Sequence, residues 1–203
     1  TTGRIVGDVA NNGVLAFNRS DNLIFDGIVS GTGKLTKAGA GVLTLTGANS
    51  YSGGTAITAG TLQIGNGGTT GRIVGDVANG GVLAFNRSDA ATFSGAIGGQ
   101  GEVVQKGAGE TVFTGNNTYS GGLTVERGTA RAGIADNAFG SGLLTVKSGG
   151  TADLDGFNTR VGGLTGAGGV TLGKGTLTLD QNVDSLFSGL MSGTGGLRKN
   201  GLG

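Results

Sequence analysis

The sequence predicts an all-β fold in which short strands wind into a parallel solenoid. Three observations carry this prediction: a long internal repeat, short alternating apolar stretches that follow glycine, and a complete lack of proline. The segment TTGRIVGDVANNGVLAFNRSD from Thr1 recurs without gaps as TTGRIVGDVANGGVLAFNRSD from Thr69, an offset of 68 residues. Repetition of this kind favours stacked coils over a closed barrel or a sandwich. Three coils per repeat give about 23 residues per coil, and about nine coils of three short strands.

The strands are predicted from alternation along the chain. In Val42-Leu43-Thr44-Leu45-Thr46 the two leucines point to one face and the two threonines to the other, as in a half-buried strand. Glycine, at 48 of 203 positions, is too frequent for long helices. A proline would delete a hydrogen bond from a central strand, so its absence fits continuous ladders.

We expect one β-helical segment over 1–203. Its parts are a first repeat unit at 1–68, a second at 69–136, a diverged segment at 137–186 and the start of a third repeat at 187–203, where FSGLMSGTGGLRKNGLG follows the pattern FDGIVSGTGKLTKAGAG from Phe25. The unfinished third unit predicts that the segment comes from a longer array. Leucine, isoleucine and valine should fill a narrow interior together with eight phenylalanines: Phe17, Phe25, Phe85, Phe93, Phe113, Phe139, Phe157 and Phe187.

Composition excludes several kinds of chemistry. The chain has no histidine and no cysteine, so it has no Ser-His-Asp or Cys-His nucleophile, no imidazole or thiolate zinc site and no disulfide. A net charge of +1, from 14 basic and 13 acidic residues, gives no electrostatic signature of a nucleic-acid partner. We therefore expect no catalytic residue, metal, cofactor, nucleic acid or small-molecule substrate.

Two segments resemble a known repeat. The pattern SGTGKLTKAGAGVLTLTGANSYSGGTAITAGTLQIGNG from Ser30, which recurs from Gly99 as GQGEVVQKGAGETVFTGNNTYSGGLTVERGTARAG, resembles the autotransporter-associated β-strand repeat, also called the passenger-associated transport repeat. This resemblance implies a right-handed parallel β-helix that folds outside a Gram-negative cell after crossing the outer membrane unfolded. It also implies flanking coils of the same passenger and, in the full protein, a C-terminal outer-membrane β-barrel as partners.

A structural motif is shared by the two copies. Asparagine can bridge the backbone of a turn, tyrosine can cover the core, and paired glycines can reverse the chain. The alternative is a stacked tyrosine surface that binds sugars or proteins. The motif residues are Gly39, Gly41, Asn49, Tyr51, Gly53 and Gly54 in the first copy, and Gly107, Gly109, Asn117, Tyr119, Gly121 and Gly122 in the second.

Two further groups of residues have both a structural and a functional interpretation. Asn18-Arg19-Ser20-Asp21 recurs at residues 86–89, and the two copies, three coils apart, should point the same way, either as salt-bridged turns or as a periodic binding stripe. Gly149–Asp155 weakly resembles a calcium-binding glycine-aspartate repeat. Its Asp153 and Asp155 are also the candidates for a carboxylate pair acting on polysaccharides.

The function predicted is a structural β-helical stalk of a secreted passenger at the cell surface, which assists secretion-coupled folding and display. The alternative is an adhesin or self-association module that uses the exposed faces of the rod. A polysaccharide-degrading enzyme is the third and least supported hypothesis, and the chain is predicted not to be an enzyme.

Overall fold

A computed structural model describes residues 3–203 of the chain, and within this range it contains strands, turns and bends but no helix. None of the described segments could therefore cross a membrane as a helix. The strands in chain order are β1 (Val9–Ala10), β2 (Val14–Asn18), β3 (Leu23–Phe25), β4 (Val29–Ser30), β5 (Lys34–Ala38), β6 (Val42–Leu45), β7 (Thr55–Ile57), β8 (Thr61–Ile64), β9 (Val77–Asn79), β10 (Val82–Phe85), β11 (Ala91–Phe93), β12 (Ile97–Gly98), β13 (Glu102–Gln105), β14 (Glu110–Phe113), β15 (Leu123–Ala132), β16 (Leu143–Asp153), β17 (Thr159–Val161), β18 (Gly163–Gly166), β19 (Gly169–Thr171), β20 (Thr176–Asp180), β21 (Leu190–Ser192) and β22 (Gly196–Asn200).

These strands form the three faces of a parallel β-solenoid. The first face carries the ladder β2-β5-β7-β9-β12 and, further along the rod, β17-β20-β22. The second face runs from β3 through β6, β8, β10 and β13 into the first halves of β15 and β16, and then to β18. The third face carries β1-β4 and, later, β11-β14 followed by the second halves of β15 and β16, β19 and β21. Every pairing is between strands of successive coils, which confirms the predicted fold class.

The coils are shorter than the sequence arithmetic predicted. On the second face Leu23 pairs with Leu43, Leu43 with Leu62 and Leu62 with Leu83, so successive coils take about 20 residues rather than 23. The described chain consequently makes about ten turns. The prediction was too long because it assumed that one sequence repeat equals a whole number of coils.

The repeat of 68 residues in fact spans three coils and about a third of another. Leu15 stacks on Leu35 on the first face, whereas its counterpart Leu83 stacks on Leu62 and Val103 on the second. Each repeated motif is thus carried one face further around the rod in the second copy. The expectation that the two copies point the same way is wrong.

One continuous apolar core runs along the axis of the solenoid. Second-face residues Leu43, Leu62, Leu83 and Val103 stack in register and are all at most 2% exposed. Aromatic contacts join successive parts of the core, with ring centroids 5.5 Å apart for Phe85 with both Phe93 and Phe113. Phe157 departs from the prediction: it lies in a turn between β16 and β17 and is 37% exposed. Phe187 is only partly buried against the core.

Candidate functional site

The Asn-x-Tyr motif of the first copy lies at the corner between the third and first faces. Asn49 is buried; its side-chain oxygen accepts a hydrogen bond from Val29 N at 2.8 Å, and its amide nitrogen donates to Gly47 O and Arg72 O. The Tyr51 ring is fully buried, and its hydroxyl is 2.7 Å from Thr55 Oγ1. Burial raises the pKa of Tyr51 to about 12. The side chains therefore tie together three successive coils and cap the core.

The second copy repeats this geometry one face further on. Asn117 accepts a hydrogen bond from Ile97 N at 2.9 Å and donates to Ala138 O at 2.7 Å. Tyr119 is fully buried, and burial raises its pKa, but its hydroxyl has no partner among the described residues. The position that holds Thr55 in the first copy holds Leu123 in the second. Because both rings are buried, the alternative of an exposed tyrosine surface is wrong.

The motif glycines lie where the backbones of neighbouring coils approach closely or where the chain needs a positive φ. A Cβ added to Gly41 would lie 2.1 Å from Asp21 O, and one added to its counterpart Gly109 would lie 2.1 Å from Asp89 O. Gly54 and Gly122 have φ of +77° and +93°, a backbone conformation that residues other than glycine rarely adopt. The remaining motif glycines, whose added Cβ would also contact backbone of the preceding coil, are Gly39, Gly53, Gly107 and Gly121.

The repeated Asn-Arg-Ser-Asp segment forms a salt-bridged turn in both copies. The Arg87 guanidinium binds Asp89 in a bidentate manner at 3.0 and 2.7 Å, and its third nitrogen donates to Gly71 O at 2.6 Å. Arg19 makes the same contacts to Asp21 and to Gly3 O. The hydrogen bond from Arg87 lowers the pKa of Asp89. Each arginine thus pins a segment that lies 16 residues before it.

Asp153 and Asp155 both lie against the guanidinium of Arg131. Arg131 Nη2 is 2.6 Å from Asp155 Oδ1, and Arg131 also lies within 4 Å of Asp153 and Glu110. The hydrogen bond that Arg131 donates to Asp155 raises the pKa of Arg131. Asp155 itself adopts φ of 50° in the turn after β16, while Asp153 Oδ1 accepts its backbone N–H. Within residues 3–203 no group of three acidic side chains is arranged to hold a metal ion.

Sequence reasoning missed a set of buried polar side chains inside the rod. Lys37 is 2% exposed, and its ammonium donates to three backbone oxygens, those of Ala38, Gly39 and Ala59, at 2.8–3.1 Å. The equivalent Gln105 donates to Gly107 O and Gly109 O and accepts a hydrogen bond from Thr111. The sequence signal for these buried residues is a polar side chain at a strand position where the alternation of side chains points it into the core.

Comparisons with known proteins agree with this structure. The model of the passenger-associated-transport-repeat matches residues 35–64 and 103–129. The adhesin BmaC autotransporter of Brucella suis biovar 1 (strain 1330) is 40% identical over 206 residues, which is 96% of this chain and 6% of that protein. The chain is autotransporter passenger sequence that carries two such repeats. No solved structure matches it.

The two matched segments of this passenger segment coincide with the corner motifs. Residues 35–64 run from β5 to β8, residues 103–129 run from β13 into β15, and together they contain all twelve motif residues. The repeat of the family is therefore centred on corners that are buried between coils, and the turn at Arg87 lies outside it. The chain spans about 6% of the length of the Brucella autotransporter.

Proposed function

We propose that this segment is a structural stalk of a secreted autotransporter passenger, which assists folding during secretion and holds more distal sequence away from the cell surface. The observation that carries the proposal is the uninterrupted stacking of second-face strands from β3 to β18 over one apolar core. Autotransporter passengers are secreted from, or displayed on, Gram-negative cells, and in this class a translocator at the C-terminus of the full protein supports their export. We assign the same location, outside a Gram-negative cell, and the same partner, a C-terminal translocator, to this segment.

The stacked coils provide a physical basis for folding as the chain emerges. Each new coil pairs its strands with the coil before it and buries residues such as Leu62 and Leu83 against the existing core. Burying one such side chain is worth about 1.5–3 kcal/mol. Because contacts are made chiefly with neighbouring coils, folding can proceed stepwise. With no cysteine in the chain, no disulfide can form before export.

The test is display of the chain in a fusion protein, placed between a secretion signal and a type V translocator with an epitope tag at its N-terminus. Leu83→Pro removes a ladder hydrogen bond and a core side chain from β10, so we expect less surface epitope at equal total protein. The matched control is Thr69→Pro, at an exposed position of the loop between β8 and β9. Equal display of the parent chain and the Leu83→Pro variant would contradict the stalk proposal.

An adhesin or self-association module is the second candidate, because the relative from Brucella is named an adhesin. This function would use exposed faces of the rod, so it depends on surface side chains and not on the length of the stalk. Deletion of residues 42–101, which joins coils in register, separates the two. Intact display with lost adhesion or lost cell aggregation supports the adhesin, whereas reduced display supports the stalk.

We infer that the segment has no catalytic role of its own. The acid pair at Asp153 and Asp155 is engaged with Arg131, an arrangement that favours structural ion pairing over proton transfer. The check is polysaccharide depolymerisation by the purified chain and by its Asp153→Asn and Asp155→Asn variants. Turnover by the parent chain that both variants lose would contradict this inference.

A further inference from the structure

A cleft opens on the third face beside the loop of extra residues between β8 and β9. The loop after β8 leaves the corner at Gly65 and returns at Gly71, where it is held by the hydrogen bond from Arg87 to Gly71 O. β11 pairs with β14 on one side, but residues 71–73 of the preceding coil form no ladder with its other edge. The resulting cavity has a volume of about 270 Å³. This is close to the range typical of small-ligand pockets.

The cleft combines an apolar floor with cationic groups at its edge. Its floor is formed by buried side chains that include Ile64, Ile73, Phe85 and Phe93. Arg72 lies at its edge, is exposed, and makes no side-chain hydrogen bond or ion pair with the described residues. An arginine without a partner beside an apolar surface is suited to a carboxylate, which its guanidinium can bind in a bidentate manner.

A backbone donor is available at the same place. Phe93 O accepts a hydrogen bond from Thr114 N, so the polar backbone groups of Phe93 point towards β14. Since these directions alternate along a strand, the N–H of Thr92 points the other way, towards the cleft. Thr92 is one of the residues that line the cleft. An anion held by Arg72 would thus have a second donor near it.

The first copy contains the same cleft in a modified form. Its lining residues Gly3, Arg4, Ile5, Phe17 and Arg19 are the counterparts of Gly71, Arg72, Ile73, Phe85 and Arg87. Two differences set the copies apart. Leu23 lines the first cleft where Ala91 lines the second, and Ile5 is 41% exposed whereas Ile73 is buried. The first cleft has a volume of about 500 Å³, but its floor is open at Ile5, so the second cleft is the one with a closed apolar floor.

We propose that the cleft at Arg72 binds small organic acids in which a carboxylate is joined to a compact apolar body. A dry apolar cavity of about 150 Å³ accepts benzene, so the volume here suffices for a ring with a short acidic arm. The carboxylate lies at Arg72 and Thr92 N–H, and the ring lies on Phe85 and Ile73. The site is separate from the corner motifs, and its binding does not depend on the stalk function.

The experiment is a titration of the whole chain with phenylacetate, followed by backbone amide NMR, with phenylacetamide and acetate as matched probes. We expect saturable shifts around Thr92 and Ile73 with phenylacetate, and at least about tenfold weaker binding of both other probes. Arg72→Gln should weaken phenylacetate binding about tenfold. Arg127→Gln, which replaces an exposed arginine outside the cleft, should leave binding unchanged.

Ala91→Leu provides the second variant, and it introduces the residue that the first copy carries in the same register of its own strand. Because that residue is accommodated in β3, the variant should fold and unfold like the parent chain while losing phenylacetate binding by steric filling. Absence of saturable shifts at millimolar phenylacetate would overturn the proposal. Equal binding of phenylacetate and phenylacetamide, or undiminished binding by the Ala91→Leu variant, would overturn it as well.

Discussion

The two copies of the repeat place the same corner motif on different faces of the rod, and they differ in what each buried tyrosine can contact. Tyr51 forms a hydrogen bond with Thr55. In the second copy Leu123 stands at the position of Thr55, and the hydroxyl of Tyr119 has no partner among residues 3–203. The buried cation Lys37 is replaced by the neutral Gln105. The glycines and asparagines that join successive coils are retained. Both copies thus require the backbones of neighbouring coils to approach closely at the corners, whereas the polar contacts inside the rod differ between the copies.

The largest effect expected follows from the register of the coils. Val42, Thr61, Val82 and Glu102 are in register on the second face, so deletion of residues 42–101 removes whole coils. Deletion of residues 42–90 joins the corner after β5, on the first face, directly to β11, on the third face, and so omits a second-face strand. We expect cooperative urea unfolding, followed by circular dichroism, for the first deletion and its loss for the second. Equal cooperativity of both would contradict the assigned coil register.

The corner glycines should show the next largest effect, and it should be similar in both copies. Gly41→Ala and Gly109→Ala each place a Cβ 2.1 Å from a backbone oxygen of the preceding coil. Overpacking of this kind costs about 1–3 kcal/mol in the free energy of unfolding, measured by urea denaturation. Gly13→Ala is the control, because an added Cβ there meets nothing within 4 Å. A control variant as unstable as the other two would refute the close approach of coils as the cause.

The tyrosines should respond differently to loss of the hydroxyl. Tyr51→Phe leaves Thr55 Oγ1 without its partner in the core and should lower the free energy of unfolding by about 1 kcal/mol. Tyr119→Phe removes an unsatisfied buried hydroxyl, so the stability should stay the same or increase. Urea denaturation of both variants makes the comparison. The same loss in both would indicate that Tyr119 has a hydrogen-bond partner.

A smaller, pH-dependent effect is expected from the replacement of Lys37 by glutamine. Burial lowers the pKa of Lys37 below its ordinary value of 10.5. The unfolded chain then binds more protons than the folded chain between the two pKa values, so this group's contribution to stability becomes more favourable as pH rises through that window. Relative to the Lys37→Gln variant, the parent chain should become more stable as pH approaches 10.5. A difference in unfolding free energy that is constant with pH would contradict a lowered pKa.

The alternation of Leu43 and Leu45, the glycine-rich corners and the lack of proline were sufficient to predict a parallel solenoid. Those patterns reflect the backbone conformation and the burial of each strand, and both depend largely on the residues of that strand. The face of the rod on which each copy of the repeat lies could not be predicted in the same way. It depends on the lengths of the corners, which vary from coil to coil and are not determined by any single strand. The partnership of Arg87 with Gly71 and the cleft at Arg72 depend on an inserted loop that folds back on the next coil. Contacts of that kind appear only when coils are stacked in register.

The most direct test of the central claim, that coils take about 20 residues and so turn each repeat by one face, is disulfide cross-linking in this cysteine-free chain. Thr61 and Val82 are paired across neighbouring second-face strands, and both are only partly buried. The account predicts efficient oxidation of the Thr61→Cys/Val82→Cys variant and little in Ala59→Cys/Val82→Cys, whose spacing is that of a 23-residue coil. Preferential cross-linking of the second pair would contradict it.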